Sequence, residues 1–321
     1  MPITLRPFTG QDYDAVASLN NLLYPDHRLT AEEWRRLDLR FDEARYTRRR
    51  YVAADARTQH VVGYGIASHL PALFHPQRYW FHLMVHPQWQ RRGVGGLLLE
   101  RLLDDLRALD VDTLWTEVRE DRTQVLAFLQ KRGFTESRRS WELRLSVAEA
   151  DPAALMPLSQ RAAGEGVIIT TLAEERQRDV HCLAKLYELA RAVSADVPWP
   201  VPALPMAFAD FAQWLDYPET LSDGFFIAQW GAQYIGFSTT SRTEGEPQTL
   251  YVNLTGVRRE SRRLGVALAL KQHTVQYAQR HRYQHMIARN DSANAAMIAL
   301  NLRLGFRYHA GWVTLTSAGP R

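Results

Sequence analysis

Two stretches of this chain have the residue types and spacing of an anion cradle. Gln90-Arg91-Arg92-Gly93-Val94-Gly95 follows an apolar run ending in Val85 and leads into a leucine-rich segment. Arg262-Arg263-Leu264-Gly265-Val266-Ala267 follows a run ending in Val257 and leads into a second helical segment. A helix start presents N–H groups without intrahelical partners and a partial positive charge. Glycine or alanine there, with Gly96 following in the first copy, lets a pyrophosphate sit against the backbone. Arg91, Arg92, Arg262 and Arg263 can add charge-assisted contacts. Neither stretch is a Rossmann fingerprint, because no acid follows about 20 residues on in a βαβ context. Neither is a Walker loop, because no Gly-Lys-Ser/Thr occurs.

The elements that position these loops occur twice. Gly93 and Gly265 are 172 residues apart, and the same offset carries Gly133-Phe134 onto Gly305-Phe306. Upstream, Val61-Val62-Gly63-Tyr64 pairs with Tyr234-Ile235-Gly236-Phe237, and Ile3-Thr4-Leu5 with Thr170-Thr171-Leu172. A repeat of about 150 residues is a duplicated domain, not a solenoid unit. The expected organisation is an N-terminal domain over 1–147, a linker over 148–166 rich in small and breaker residues, and a C-terminal domain over 167–321. Within each half the pattern predicts strand, helices, a two-stranded hairpin, a strand running into the glycine loop, helix, strand, helix, strand. In the first half the loop helix is predicted over 94–110 and the next over 124–132; in the second half a helix is predicted over 294–304. This β-α-α-β-β-β-α-β-α-β order is an α/β chain with helices packed on a mixed sheet.

Composition sets the class. The chain has 321 residues, 46% hydrophobic and 23% charged, which excludes a disordered protein. No run of about 18 apolar residues exists, so no membrane partner is expected. The first eight residues carry no apolar signal region, and Cys182 is the only cysteine, so no thiolate metal site is expected and a reducing, cytoplasmic setting is. The net charge is +4, a mild positive field suited to anionic ligands. Only three of the 39 basic residues are lysines, Lys131, Lys185 and Lys271. The arginines are spread among acids with no long basic block, which argues against nucleic acid.

These motifs resemble the GNAT superfamily of N-acetyltransferases. Its [Gln/Arg]-x-x-Gly-x-[Gly/Ala] signature after a strand ending in valine matches both loops, and its helix-terminal Leu-Gly-Phe is similar to Arg132-Gly133-Phe134 and Leu304-Gly305-Phe306. The resemblance covers nearly the whole chain, twice. It implies two tandem domains, each a mostly antiparallel twisted sheet with a splayed central strand pair, and an acetyl-CoA site at each loop. It places the pantetheine-pairing backbone at Leu83-Met84-Val85 and at Thr255-Gly256-Val257. It implies direct attack of a primary amine, small-molecule or peptide, on the thioester, with backbone N–H groups stabilising the oxyanion. The family usually carries an Asn seven residues before an acidic Tyr. Those positions are Asn294 and Asn301 in the second half and Arg122 and Leu129 in the first, so the Tyr is absent from both.

Candidate catalytic residues are His82 and Glu117 in the first half and Asn253 and Asn301 in the second, of which the two asparagines can hydrogen-bond but not exchange a proton. A histidine beside the thioester could take the amine's proton. Tyr251, Asn253 and Thr255 are expected on one strand face. Asn290 reads either as a helix N-cap or, with Asn294 and Asn301, as a ladder facing coenzyme A. The Pro/Trp-rich segment 196–202 reads either as a substrate wall or as packing between the halves. Both loops are expected to bind acetyl-CoA, with the catalytic centre in the C-terminal half. The alternatives are a CoA-binding scaffold or sensor, and a transferase of the mycothiol-synthase or aminoacyl type. A monomer and a homodimer are equally compatible with the sequence.

Overall fold

The computed structural model describes residues 2–151, 156–199, 201–202 and 204–320, without the side chains of 156–159. Met1, residues 152–155 of the expected linker, Pro200, Ala203 and Arg321 lie outside the described residues. The first half runs β1 (Ile3–Pro7), α1 (Tyr13–Leu23), α2 (Ala31–Leu39), β2 (Arg48–Asp55), β3 (Val61–Ser68), β4 (Arg78–Val85), α3 (Val94–Leu106), β5 (Thr113–Arg119), α4 (Thr123–Gln130) and β6 (Thr135–Ser146). The second runs α5 (Met156–Gly164), β7 (Val167–Thr171), α6 (Leu172–Arg178), α7 (Cys182–Ser194), α8 (Phe208–Leu215), β8 (Phe226–Trp230), β9 (Gln233–Ser241), β10 (Thr249–Val257), α9 (Val266–Arg280), β11 (His285–Asp291), α10 (Ala295–Arg303) and β12 (Arg307–Ala318). The segment expected as a linker thus contains a helix, α5. Helix α6 departs directly from β7 because Thr171 and Glu174 form a capping box.

The twelve strands among the described residues form one sheet in the order β1-β2-β3-β4-β5-β12-β6-β11-β10-β9-β8-β7. The two halves exchange their last strands. β12 pairs antiparallel with β5 of the first half, β6 pairs antiparallel with β11 of the second, and β6 and β12 pair with each other at the centre. The cores follow the exchange. Val313 and Leu315 of β12 are buried among α3 and β2–β5, while Leu143 and Leu145 of β6 are buried among α9 and β8–β11. Each half therefore completes its apolar layer with a strand from the other. The exchange also joins repeat-equivalent residues: Glu117 and Arg289, 172 positions apart, form an ion pair across the centre.

Two parallel strand pairs interrupt the antiparallel sheet, and both come apart. β4 pairs with β5 only from Arg78 to Trp80, and β10 with β11 only from Thr249 to Val252. Beyond those points each glycine loop turns the chain into a helix packed on the sheet.

Candidate active site

The two loops have the same backbone. Arg91 and Arg263 have φ of 62° and 66°, and Gly93 and Gly265 have φ of 85° and 84° as the residues preceding α3 and α9. Alternating left-handed residues before a helix start aim N–H groups into one concavity, a nest for an anion. The first signature residue does something other than expected. Gln90 Nε2 donates to Val85 O at 3.0 Å, and Arg262 Nε donates to Val257 O at 3.1 Å. In each copy this side chain closes the turn back onto the preceding strand. Arg262 is also ion-paired with Asp196 at the end of α7, which accepts a second bond from Arg259 Nε at 2.9 Å. The hydrogen bond from Arg259, joined by that from Arg262, holds the Asp196 carboxyl down at about 2 against the opposing effect of burial.

Beyond the loops the copies differ. A cavity of about 890 Å³ lies between the splayed strands of the second half. Thr255, Gly256, Val257, Arg262, Arg263, Gly265, Val266, Ala267, Asn290 and Asn294 line it; Leu264 instead packs against the core. β10 reaches the cavity through a bulge: Val252 pairs with Thr240 and Leu254 with Thr239, leaving Asn253 without a backbone pairing partner on β9. The extra residue corrects the expected alternation. Asn253 Oδ1 accepts from Ser241 Oγ at 3.1 Å, whereas Thr255 Oγ1 is 2.8 Å from Ser238 Oγ, which in turn accepts from Thr274 of α9. Tyr251 and Asn253 therefore do not share a face with Thr255.

In the first half β4 pairs with β3 from Trp80 to Val85 without a bulge. The sites of Leu83, Met84 and Val85 are filled by side chains: Leu83 and Val85 pack against the core of α3, and Met84 is fully buried against Val16, Leu19 and Leu23 of α1. The counterpart of Met84 is Gly256. Phe128 stands beside Gly95, where an added Cβ would be 3.7 Å from its ring. His82 lies between Trp80 and Tyr24, with ring centroids at 5.7 Å from each, and Tyr24 stacks on Trp312. Burial pushes the imidazole down to about 4, far from the range of an efficient base near neutrality.

The structure separates the other catalytic candidates. Glu117, a candidate of the first half on the strand after His82, lines the C-terminal cavity, where its strand β5 pairs with β12 and its carboxylate with Arg289 of β11. Asn301 is fully buried, donates from Nδ2 to Asn290 Oδ1 at 2.7 Å and does not line the cavity, so it holds α10 to β11. Asn290 is on β11 and caps no helix; the N-cap is Asn294, whose Oδ1 accepts from Met297 N at 3.2 Å. Asp196, Val197, Pro198 and Trp199 line the cavity, while Arg138 of β6 and Arg78 of β4 hold the carbonyls of Trp199 and Pro202 at 2.7 Å. The segment is thus both wall and inter-half packing. The sequence alone assigned no role to Arg289 or Lys271 and named Asp196 only as the start of the Pro/Trp-rich segment. Lys271 was detectable: it stands in the repeat where the first half has Leu99.

The acetyltransferase (GNAT) family matches this chain at residues 13–134 and again at 184–306. A mycothiol acetyltransferase from Pseudarthrobacter chlorophenolicus is 26% identical over 228 residues, 70% of this chain and 65% of that protein. A [ribosomal protein bS18]-alanine N-acetyltransferase from Salmonella typhimurium is 44% identical over 57 residues, 18% of this chain and 38% of that protein. The chain thus spans under two thirds of each relative's length. A GCN5-related N-acetyltransferase from Sphaerobacter thermophilus superposes over 99% of this chain and 96% of its own, with a TM-score of 0.76 at 18% identity. A tandem GNAT protein from the clavulanic acid biosynthesis pathway covers 100% of this chain and 99% of its own, with a TM-score of 0.70 at 20% identity. These two structural likenesses concern the fold.

Proposed function

This chain belongs to the GNAT family of acetyltransferases, in two copies, and on that premise we propose that it is an acetyl-CoA-dependent N-acetyltransferase whose working site is the C-terminal cavity. The observation that carries this reading is the bulged edge of β10, which leaves β11 after Val252 and lines a cavity that ends at the nest before α9. The fit is chemical as well as spatial. The nest and the first N–H groups of α9 suit a pyrophosphate. The backbone of residues 253–257, unpaired on its β11 side, suits the amides of a pantetheine arm. Acetyl-CoA supplies an acetyl group activated as a thioester. Backbone N–H groups at the bulge stabilise the developing oxyanion. Glu117 and Asp291, which line the same cavity, orient the incoming amine and the water that takes its proton.

The first copy serves as the structural partner. Met84, Phe128 and Tyr24 occupy its groove, and its β6 completes the other half's sheet. We therefore assign one acetyl-CoA per chain, in place of the two expected from the paired loops. Calorimetric titration with acetyl-CoA counts the sites, and thiol release over a panel of small and peptide amines reports turnover. The mycothiol acetyltransferase likeness places a mycothiol-type acceptor in that panel. One site with amine-dependent thiol release is the expected result. Binding without release for every amine would favour the scaffold or sensor reading instead.

A further inference from the structure

The C-terminal cavity contains a lysine that the functions assigned above leave unused. Lys271 is on α9, six residues after Gly265, and is only 2% exposed. It is also among the residues lining the cavity. Its Nζ lies 5.6 Å from the centroid of the Phe306 ring, the one partner it has among the described residues. The carboxylates of the same cavity are engaged elsewhere: Glu117 with Arg289, Asp196 with Arg259 and Arg262, and Asp291 with Arg138. A buried ammonium without a counter-ion is costly, and an apolar helix face has no structural need of one. The first half meets the same packing requirement with Leu99, 1% exposed.

Acyl transfer from a thioester leaves a thiolate to be protonated. Asn301 cannot do this, because an amide is no acid and its side chain is tied to Asn290. Resting on the reading that the cavity performs acetyl transfer, we propose that Lys271 is the general acid that protonates the departing thiolate. As the acceptor nitrogen forms the C–N bond and the C–S bond breaks with its electron pair on sulfur, Lys271 gives one proton to sulfur and becomes a neutral amine. The acceptor nitrogen releases its extra proton to water, and Lys271 regains a proton from water. Burial, acting alone, pushes the Lys271 amine down to about 7, which suits proton exchange near neutrality. A thiolate of ordinary basicity, about 8.5, takes the proton downhill.

With only three lysines in the chain, ε-¹³C-lysine labelling gives three signals, and Lys271→Met identifies one of them. In the free protein that signal should titrate near neutrality. Coenzyme A, shown bound by calorimetry, should shift it. Lys271→Met and Lys271→Arg should keep acetyl-CoA binding but lower kcat by about a hundredfold or more. Arginine fails because it keeps its proton. A Lys271 signal unmoved by bound coenzyme A, or wild-type kcat in Lys271→Arg, would overturn the proposal. If the Lys271 variants do not fold, Lys131→Arg and Lys185→Arg assign the other two signals, and the wild-type titration of the remaining one decides. Absence of any acetyl-CoA binding would instead remove the underlying functional reading and this proposal with it.

Discussion

Gly256→Ala tests whether the C-terminal cavity depends on a missing side chain. A Cβ built at Gly256 falls well inside van der Waals contact with Val193 Cγ1 and 3.2 Å from Val193 Cβ and Cγ2. Val193 is at the end of α7, 4% exposed, and both residues line the cavity. The helix cannot yield freely, because Asp196, three residues on, is ion-paired with Arg259 and Arg262. Overpacking of this kind costs about 1–3 kcal/mol, a factor of roughly 5–150 in the unfolding equilibrium. Val193→Ala removes the clashing methyl and itself costs about 1.6 kcal/mol for two lost carbons. In Gly256→Ala/Val193→Ala the new methyl meets only the Val193 Cβ position at 3.2 Å, so the double variant should be about as stable as Val193→Ala alone. Urea unfolding of the four proteins measures the coupling, and acetyl-CoA titration should show weaker binding in Gly256→Ala and recovery in the double variant. Additive single effects, within about 0.5 kcal/mol, would refute the steric argument.

Gly93→Ala and Gly265→Ala should each cost about 1–2 kcal/mol, because both φ values are left-handed. Only Gly265→Ala should lose acetyl-CoA binding by calorimetry; equal losses would place a second working site in the first half. Burial pushes the Glu142 carboxyl up, but hydrogen bonds from His27 and Arg144 outweigh it and hold it down at about 2. A group depressed on folding stabilises the native state above its unfolded value of about 4.3, and that stability, about 3 kcal/mol, is lost as pH falls toward 2. Glu142→Gln should flatten this acid limb in urea unfolding between pH 5 and 2, and an unchanged limb would count against it. Co-expressed fragments 1–151 and 156–321 should purify as one complex, since each contributes a strand to the other's core. Two independently folded monomers by light scattering would contradict the exchange.

Much of the scaffold was legible because it is local. The turn at Gly93 and Gly265, the leucines of α3 at 98, 102 and 106, and the strands flanking each loop follow from backbone freedom and from periodicity. The repeat made the duplication plain. The Asn253 bulge was hidden because an extra residue in β10 is defined only against the register of β9. Asn294 replaced Asn290 as the helix cap because β11 runs on to Asp291 before the chain turns.

The sequence by itself determined two copies of one acetyltransferase-type fold, each with a left-handed glycine turn before a helix, since these depend on residues near one another in the chain. Only the tertiary structure decided which copy has room. β6 and β12 cross to the opposite halves, so that Glu117 of β5 meets Arg289 of β11 at the C-terminal cavity, and α1 presses Met84 into one groove while Gly256 leaves the other open. The repeat has the same order in both halves, so no local pattern distinguishes a last strand that returns to its own sheet from one that crosses. That choice rests on which long-range apolar surfaces the folded chain covers, Val313 and Leu315 in one core and Leu143 and Leu145 in the other.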